Sequence, residues 1–390
     1  MAAETELAGR LLHPAGEGVV FGPGAMRRQL PGLLARLEAT RPFLVTTPSV
    51  ARAGLADEVA KAVGPGLAGT FEGSKEHTPA PVVLDAAAAA GAVDADCLVS
   101  LGGSSVVDLA KGVALVLAEG KDLDQHRAHF RPGEGSHRPP LRAPKLPHVA
   151  VPTTLSGAEF TGGVGITDPV AGEKRIYADL KLTPRWVVLD PELARATPPA
   201  LWAATGMKAL ADTIEVLCSP RATPLTDAVA VGALTLLVEH LSPSTADDTD
   251  LAARGRCQFA VAMALPQLAS AGVGLVAALR HQLGGGLGVA HGVASTIVLP
   301  HVLRWNAPAC GEALGRAASA MGLHGPASLI GRVEALTAEL GLPRALSEVG
   351  VHRGDLPAVA DHVLHDPSIA TNPRPVESTD AVLGILDAAW

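Results

Sequence analysis

The sequence predicts an α/β domain followed by an all-helical domain, and three observations lead there. Short apolar strand segments alternate with helical periodicity up to about residue 192. Beyond that point the strand signals fade, and Ala and Leu recur at helical spacing. One apolar strand runs directly into a Gly-Gly-Ser-Ser turn that opens a helix. Buried strands separated by helices imply a parallel sheet with right-handed crossovers. A length of 390 residues is long for one core and suits two domains, 1–192 and 193–390.

Taken in order, Gly18-Val-Val-Phe21 reads as a strand and Ala25 to Ala39 as a helix. Arg41 to Thr47 is an apolar strand that stops at Pro48-Ser49, and Ala51 to Val63 has helical periodicity. Gly69-Thr-Phe71, Val82 to Ala92 and Asp96 to Leu101 continue as strand, helix and strand. Residues 119–148 carry charge, His126, His129, His137 and the Pro-rich Arg138-Pro-Pro-Leu, the marks of a surface excursion before the strand His148 to Val151. Helices are expected over 200–218, 224–241, 250–282 and 326–340.

Composition excludes several classes. Net charge is −8 and no basic run is denser than Arg27-Arg28, so nucleic acid is not expected as a partner. Gly, Pro or charge interrupts each apolar stretch before the ~18 residues of a membrane span. The start, Met1-Ala-Ala-Glu-Thr-Glu6, is acidic and lacks the basic region of a signal peptide. A cytoplasmic protein is expected, a homodimer acting on a small molecule. Cys97, Cys218, Cys257 and Cys310 are widely spaced and read as small core residues.

Two segments compete as a phosphate site. Gly64, Gly66 and Gly69 fit GxGxxG but follow a helix and lead into a strand, the reverse of the required context, and read as a loop. The better candidate is Leu98-Val-Ser-Leu101-Gly102-Gly103-Ser104-Ser105. Glycines let a backbone approach a pyrophosphate, and a helix N-terminus offers free N–H groups. Ser104 and Ser105 are placed to cap that helix; a plain strand–helix turn has the same features. A second polar turn, Pro152 to Thr161, follows the next strand, so both would lie at the carboxyl edge of the sheet, where ligands bind.

Together these segments resemble one superfamily. Gly102 to Lys111, with Asp108, is similar to its GGGSxxDxAK element, with Ser104 at the third Gly, and Pro152 to Glu159 is similar to its PTTxxxxSE turn. Leu189-Asp-Pro-Glu-Leu193, the His281-Gln-Leu-Gly-Gly and Ala290-His291-Gly-Val-Ala blocks, and Leu299 to Asn306 continue the likeness to the iron-containing alcohol dehydrogenases. His77-Thr78-Pro79 and Asn372-Pro-Arg-Pro-Val376 resemble the maleylacetate reductase branch. The resemblance implies a Rossmann-like domain and a helical domain in the dehydroquinate synthase-like arrangement, with NADH or NADPH in the cleft between them. It implies that the pyrophosphate lies on Gly102, Gly103, Ser104 and Ser105, with Asp108 in the same element. Thr153, Thr154 and Leu155 would contact the nucleotide, Lys174 would lie near the nicotinamide ribose, and Thr46, Thr47 and Pro48 near the adenine side. No acidic residue stands at that strand end to repel a 2′-phosphate.

The family's metal site is where this sequence departs. Its metal-dependent members use an Asp and a His four apart, then two His fourteen apart. The corresponding positions here hold Lys208, Asp212, Ala277 and His291. An ammonium at a ligand position repels a divalent cation, and a catalytic site normally needs about three protein ligands, so no metal is expected, although Asp212 and His291 leave a two-ligand site open. Lys208 and Asp212 share a helix face. They are either a solvated surface pair or a pair in the cleft whose ammonium replaces the lost cation. His281 matches a family histidine near the nicotinamide. It is either a proton donor or a histidine satisfied in a helical core; Tyr177, the only tyrosine, is an outside candidate for the acid. His148 and His301 read as structural.

The function expected is metal-independent hydride transfer from NAD(P)H to an activated C=C, C=N or C=O of a small substrate, carboxylated or not. The alternatives are a metal-dependent alcohol dehydrogenase with unusual ligands and an inactive nucleotide-binding homologue.

Overall fold

A computed structural model describes residues 9–11, 16–131, 135–137, 139–171 and 173–390. The acidic start Met1 to Glu6, Arg138, and the side chains of His129 and His137 lie outside the described residues. The chain divides into two compact units, one ending at Thr197 and one beginning at Pro198.

The first unit is built on strands β1 (Gly9–Leu11), β2 (Gly18–Phe21), β3 (Pro42–Val45), β4 (Gly69–Phe71) and β5 (Cys97–Gly102). Next come the hairpin β6 (His129–Arg131) and β7 (Gly135–His137), β8 (His148–Pro152), the hairpin β9 (Gly163–Asp168) and β10 (Glu173–Ala178), and β11 (Trp186–Leu189). Seven of them form one sheet in the order β1-β2-β11-β8-β5-β3-β4. It is parallel except for the edge pair β1–β2. The helices are α1 (Ala25–Arg36), α2 (Pro48–Arg52), α3 (Leu55–Val63), α4 (Ala80–Ala92), α5 (Ser104–Glu119) and α6 (Pro191–Ala194). The single helix expected over 51–63 breaks at Gly54, whose φ of +78° is left-handed.

Both faces of the sheet are covered, which explains apolar runs without polar alternation. Successive side chains point to opposite faces. Phe43 and Val45 therefore join one core with Val83, Val106 and Leu109, while Leu44 joins the other with Met26, Leu30 and Val59. Tyr177 packs in the first of these cores. The pairings Val45 with Ser100 and Gly102 with Pro152 put the carboxyl ends of β3, β5 and β8 side by side.

The second unit holds α7 (Pro199–Cys218), α8 (Pro224–Ala246), α9 (Leu251–Ala264), α10 (Leu268–Ala271), α11 (Leu275–Leu287), α12 (His291–Ala320), α13 (Gly325–Glu339), α14 (Leu356–Val363) and α15 (Thr379–Ala389). Among the described residues no strand follows Leu189. The continuous helix expected over 250–282 is three helices. A turn at Leu265–Gln267 carries Pro266, and Gly272, at φ +75°, precedes the N-cap Gly274 of α11. The helix α7 is buried on nearly every side from Trp202 to Cys218, as its Ala- and Leu-rich sequence requires. By length and composition alone α8 is apolar enough to cross a membrane, although Asp227, Gly232 and Glu239 interrupt its apolar run as the sequence reading expects. It packs against α7 and α9. All four cysteines are buried and free.

Candidate active site

In the first unit, the Gly-Gly-Ser-Ser turn joins β5 to α5. Gly102 has φ +148°, and a Cβ there would stand 2.7 Å from Val106 Cγ2, so no side chain fits. Gly103 is the N-cap of α5, with no side-chain capping bond, and Ser104 and Ser105 are the first helical residues. The serines therefore do not cap the helix as expected. Their amides lie in the first turn, where no intrahelical acceptor exists, at the positive end of the helix dipole.

The turn after β8 packs against this one. A Cβ on Gly103 would lie 3.2 Å from Thr154 Cγ2. The Thr153 amide donates to the Gly102 carbonyl at 3.0 Å, and the Thr197 hydroxyl donates to the Thr153 carbonyl at 2.7 Å. Thr153, Thr154 and Leu155 are buried, and the Thr154 and Ser156 hydroxyls share a 2.7 Å bond. Lys111, fully buried on α5, ties the two segments together: its Nζ donates to the Ala158 and Gly163 carbonyls at 2.7 and 2.8 Å. Burial pushes its pKa down, against the pull of Asp108 and Glu159. Asp108, one turn into α5, stands 3.9 Å from that Nζ.

At the end of β3, the Thr46 hydroxyl is spent inside the sheet on the Leu101 carbonyl at 2.8 Å. The Thr47 hydroxyl caps α2 by accepting from the Val50 amide at 3.2 Å, and Pro48 is the first helical residue. Lys174 is exposed on the β9–β10 hairpin, outside the main sheet. Gly64–Gly66 is a short turn between α3 and β4, with neither the strand before it nor the helix after it that a dinucleotide turn needs. This unit thus offers one glycine cradle that side chains would fill, at a helix N-terminus. Those residues fit a dinucleotide pyrophosphate.

A Gly103→Val variant is expected to bind NAD(P)H at least about tenfold more weakly, because the side chain meets Thr154 and separates the two turns from the phosphate position. Fluorescence titration of the folded variant checks this. Unchanged affinity removes the turn from the site.

In the second unit, Lys208, Asp212 and Glu215 lie at i, i+4 and i+7 on α7 and share one face. Asp212 is fully buried, and Lys208 is only 17% exposed at 2.7 Å from its Oδ2. Arg280, from α11, donates to Asp212 Oδ1. This overturns the solvated-pair reading of Lys208 and Asp212, because their carboxylate is shared between two largely buried cations. Burial alone would raise the Asp212 pKa, but Arg280 and Lys208 hold it low. Glu215 accepts from the Val276 amide at 2.7 Å at the start of α11, and burial pushes its pKa up to about 7 against the attraction of Arg280. The group is cationic overall whenever Glu215 is protonated.

His281 follows Arg280 on α11 and is 41% exposed, so it is not a histidine satisfied in the core. Its Nδ1 is 2.9 Å from Asp366 Oδ2. Its ring lies 5.9 Å, centroid to centroid, from that of His291, the first residue of α12. Tyr177 is removed as an acid: it is buried in the core of the other unit, and burial raises its pKa. His148 is a buried residue at the start of β8, with Nε2 2.7 Å from the Ser100 hydroxyl.

The four positions of the resembled metal site hold an ammonium, a carboxylate engaged by two cations, a buried Ala277 and one imidazole. Among the described residues no cluster of three or more His, Cys, Asp or Glu is arranged to hold a metal ion. The donors present do not fit a divalent cation.

Sequence reasoning missed Arg280, Glu215 and Asp366. A signal existed for Arg280: it follows the apolar run Leu275 to Leu279, and a charge that enters such a run needs a buried partner. Asp366 reaches His281 across 85 positions of sequence, where no local pattern points to it.

Likeness to known proteins extends along nearly the whole chain. Residues 17–191 match the model described as iron-containing alcohol dehydrogenase, and residues 202–390 match the Fe-containing alcohol dehydrogenase family, C-terminal. Maleylacetate reductase from Sphingobium indicum is 32% identical over 371 residues, 95% of this chain and 94% of the relative. Among solved structures, 1,3-propanediol oxidoreductase superposes with a TM-score of 0.89 at 29% identity, covering 98% of this chain and 100% of that one. Maleylacetate reductase from Agrobacterium tumefaciens gives 0.80 at 26% identity, over 100% and 99%.

Proposed function

Since the chain belongs to the iron-containing alcohol dehydrogenase family, whose members here include maleylacetate reductases and an NAD-dependent methanol dehydrogenase, we propose that it is an NAD(P)H-dependent reductase working without a metal. Its substrate is a small molecule with an activated C=C, C=N or C=O, and maleylacetate, named in its relatives, is the first to test. The observation that carries this reading is Asp212, buried between Lys208 and Arg280 where a metal site would need ligands. The working form in this reading is a cytoplasmic homodimer.

The reduced nicotinamide, when bound, supplies the hydride; Gly102 to Ser105 and Thr153 to Leu155 are the residues that would hold the dinucleotide, and Thr47 in place of a carboxylate admits NADPH as well as NADH. The Lys208 ammonium and the Arg280 guanidinium stabilise negative charge on the substrate, whether a carboxylate or an oxygen gaining electrons as hydride arrives. Asp212 holds both cations in place. His281 delivers the proton that completes the reduction.

Exhaustive chelation is expected to leave turnover unchanged. The test is NADH and NADPH consumption against maleylacetate, other enoates, ketones and cyclic imines, with and without EDTA. Iron or zinc that binds stoichiometrically and restores an inactive apo-protein sinks the metal-free reading. Nucleotide binding without turnover on any of the panel points to an inactive homologue.

A further inference from the structure

We propose that Asp366 is a positioning residue for His281, holding its ring in one tautomer with Nε2 turned to the substrate; this rests on the reading of His281 as proton donor. The Asp366 side chain is 6% exposed. Its Oδ1 accepts from the Ser368 amide at 2.9 Å, and its Oδ2 faces His281 Nδ1 at 2.9 Å and accepts from Gln282 Nε2 at 3.2 Å.

The carboxylate is placed independently of the ring it faces. Beyond Ser368, the Thr371 hydroxyl donates to the Val273 carbonyl. Asn372 Oδ1 accepts from the Leu275 amide at 3.1 Å and from Asn306 Nδ2 at 3.0 Å, while Asn372 Nδ2 donates to Asn306 Oδ1 at 2.9 Å. These bonds fasten the segment 366–372 to the start of α11, the helix that carries His281, and to Asn306 on α12. The ring therefore meets a fixed acceptor.

The Asp366 pKa is about 2. Burial alone would raise it, but the bonds to His281 and Ser368 bring it down. An ionised carboxylate only accepts, so the ring proton facing it sits on Nδ1. The doubly protonated ring then has an opposite charge beside it, with its Nδ1–H held by Asp366 and its Nε2–H left to transfer. In the reduction, the proton on Nε2 passes to the atom of substrate left with an electron pair after hydride addition. The ring ends neutral, with Nδ1–H still on Asp366, and solvent reprotonates Nε2 before the next turnover.

Asp366→Asn separates this role from a merely structural one. The amide keeps the size of the side chain and, with its oxygen on the Ser368 amide, turns an N–H toward Nδ1. That reverses the bond, displaces the Gln282 Nε2 donor from this atom, and disfavours the doubly protonated ring. Full-length protein labelled with ¹⁵N-histidine is compared as wild type, Asp366→Asn and His281→Gln, the last to assign the ring signals. The neutral wild-type ring is expected to carry its proton on Nδ1 and the Asp366→Asn ring on Nε2. With maleylacetate and NADPH, kcat of Asp366→Asn is expected to fall about tenfold, part of the 10²–10⁴ that a positioned acid contributes, with KM for NADPH unchanged. A wild-type ring protonated at Nε2 overturns the proposal. So does a normal kcat in Asp366→Asn beside a slow His281→Gln. Full turnover in His281→Gln overturns the proton-donor reading itself.

Discussion

Lys208→Met is expected to lower turnover by about 10²-fold or more, the scale for removing one preorganised charge-stabilising donor. Methionine keeps much of the apolar stem and removes the ammonium. The variant should fold, because Asp212 retains its bond to Arg280. It should bind NAD(P)H normally, because the glycine turn and its partner turn belong to the other unit. Asp212→Asn should slow turnover less, since it alters orientation and charge but leaves both cations present. Steady-state rates beside melting curves separate these outcomes. Near-normal turnover in Lys208→Met means this residue is not the substitute for a metal charge, and the chemistry then rests on Arg280 and His281.

The largest stability effect is expected at Asp212. Asp212→Ala leaves the Lys208 ammonium and the Arg280 guanidinium facing each other with little water to solvate them. Breaking a buried ion pair by removing one partner costs about 3–5 kcal/mol, against a total stability of about 5–15 kcal/mol for a typical domain. Denaturant unfolding should therefore show a large drop in midpoint with little change in slope. A loss below about 1 kcal/mol is what a solvated pair would give, and it would contradict the burial of Asp212.

The sheet was legible because fully buried strands read as short apolar runs: Pro42-Phe-Leu-Val45 and Cys97 to Leu101 stand out between helical segments. The glycine turn was legible because conformation dictates its residues, since Gly102 has no room for a Cβ. The β9–β10 hairpin was missed: Gly163–Asp168 and Glu173–Ala178 mix glycine, charge and apolar residues without clean alternation. The helix breaks near Pro266 and Gly272 were submerged in an Ala- and Leu-rich stretch whose periodicity carries on across them. At the site, Lys208 and Asp212 were visible as a helix pair, but their burial was not. Burial depends on what other helices bring, here Arg280 across 68 positions. The same holds for Asp366, whose partner is fixed by tertiary packing alone.

In the proposed metal-free reading, the pairing of Lys208 and Arg280 on Asp212 has a consequence for supply. An ion held by protein ligands exchanges with its surroundings, so its occupancy follows mass action. Which ion arrives also depends on the competition among the divalent metals available. Lys208 and Arg280 are peptide-borne. Their stoichiometry is set at translation, one of each per chain at any dilution, and neither starvation for iron nor an excess of a competing metal alters it.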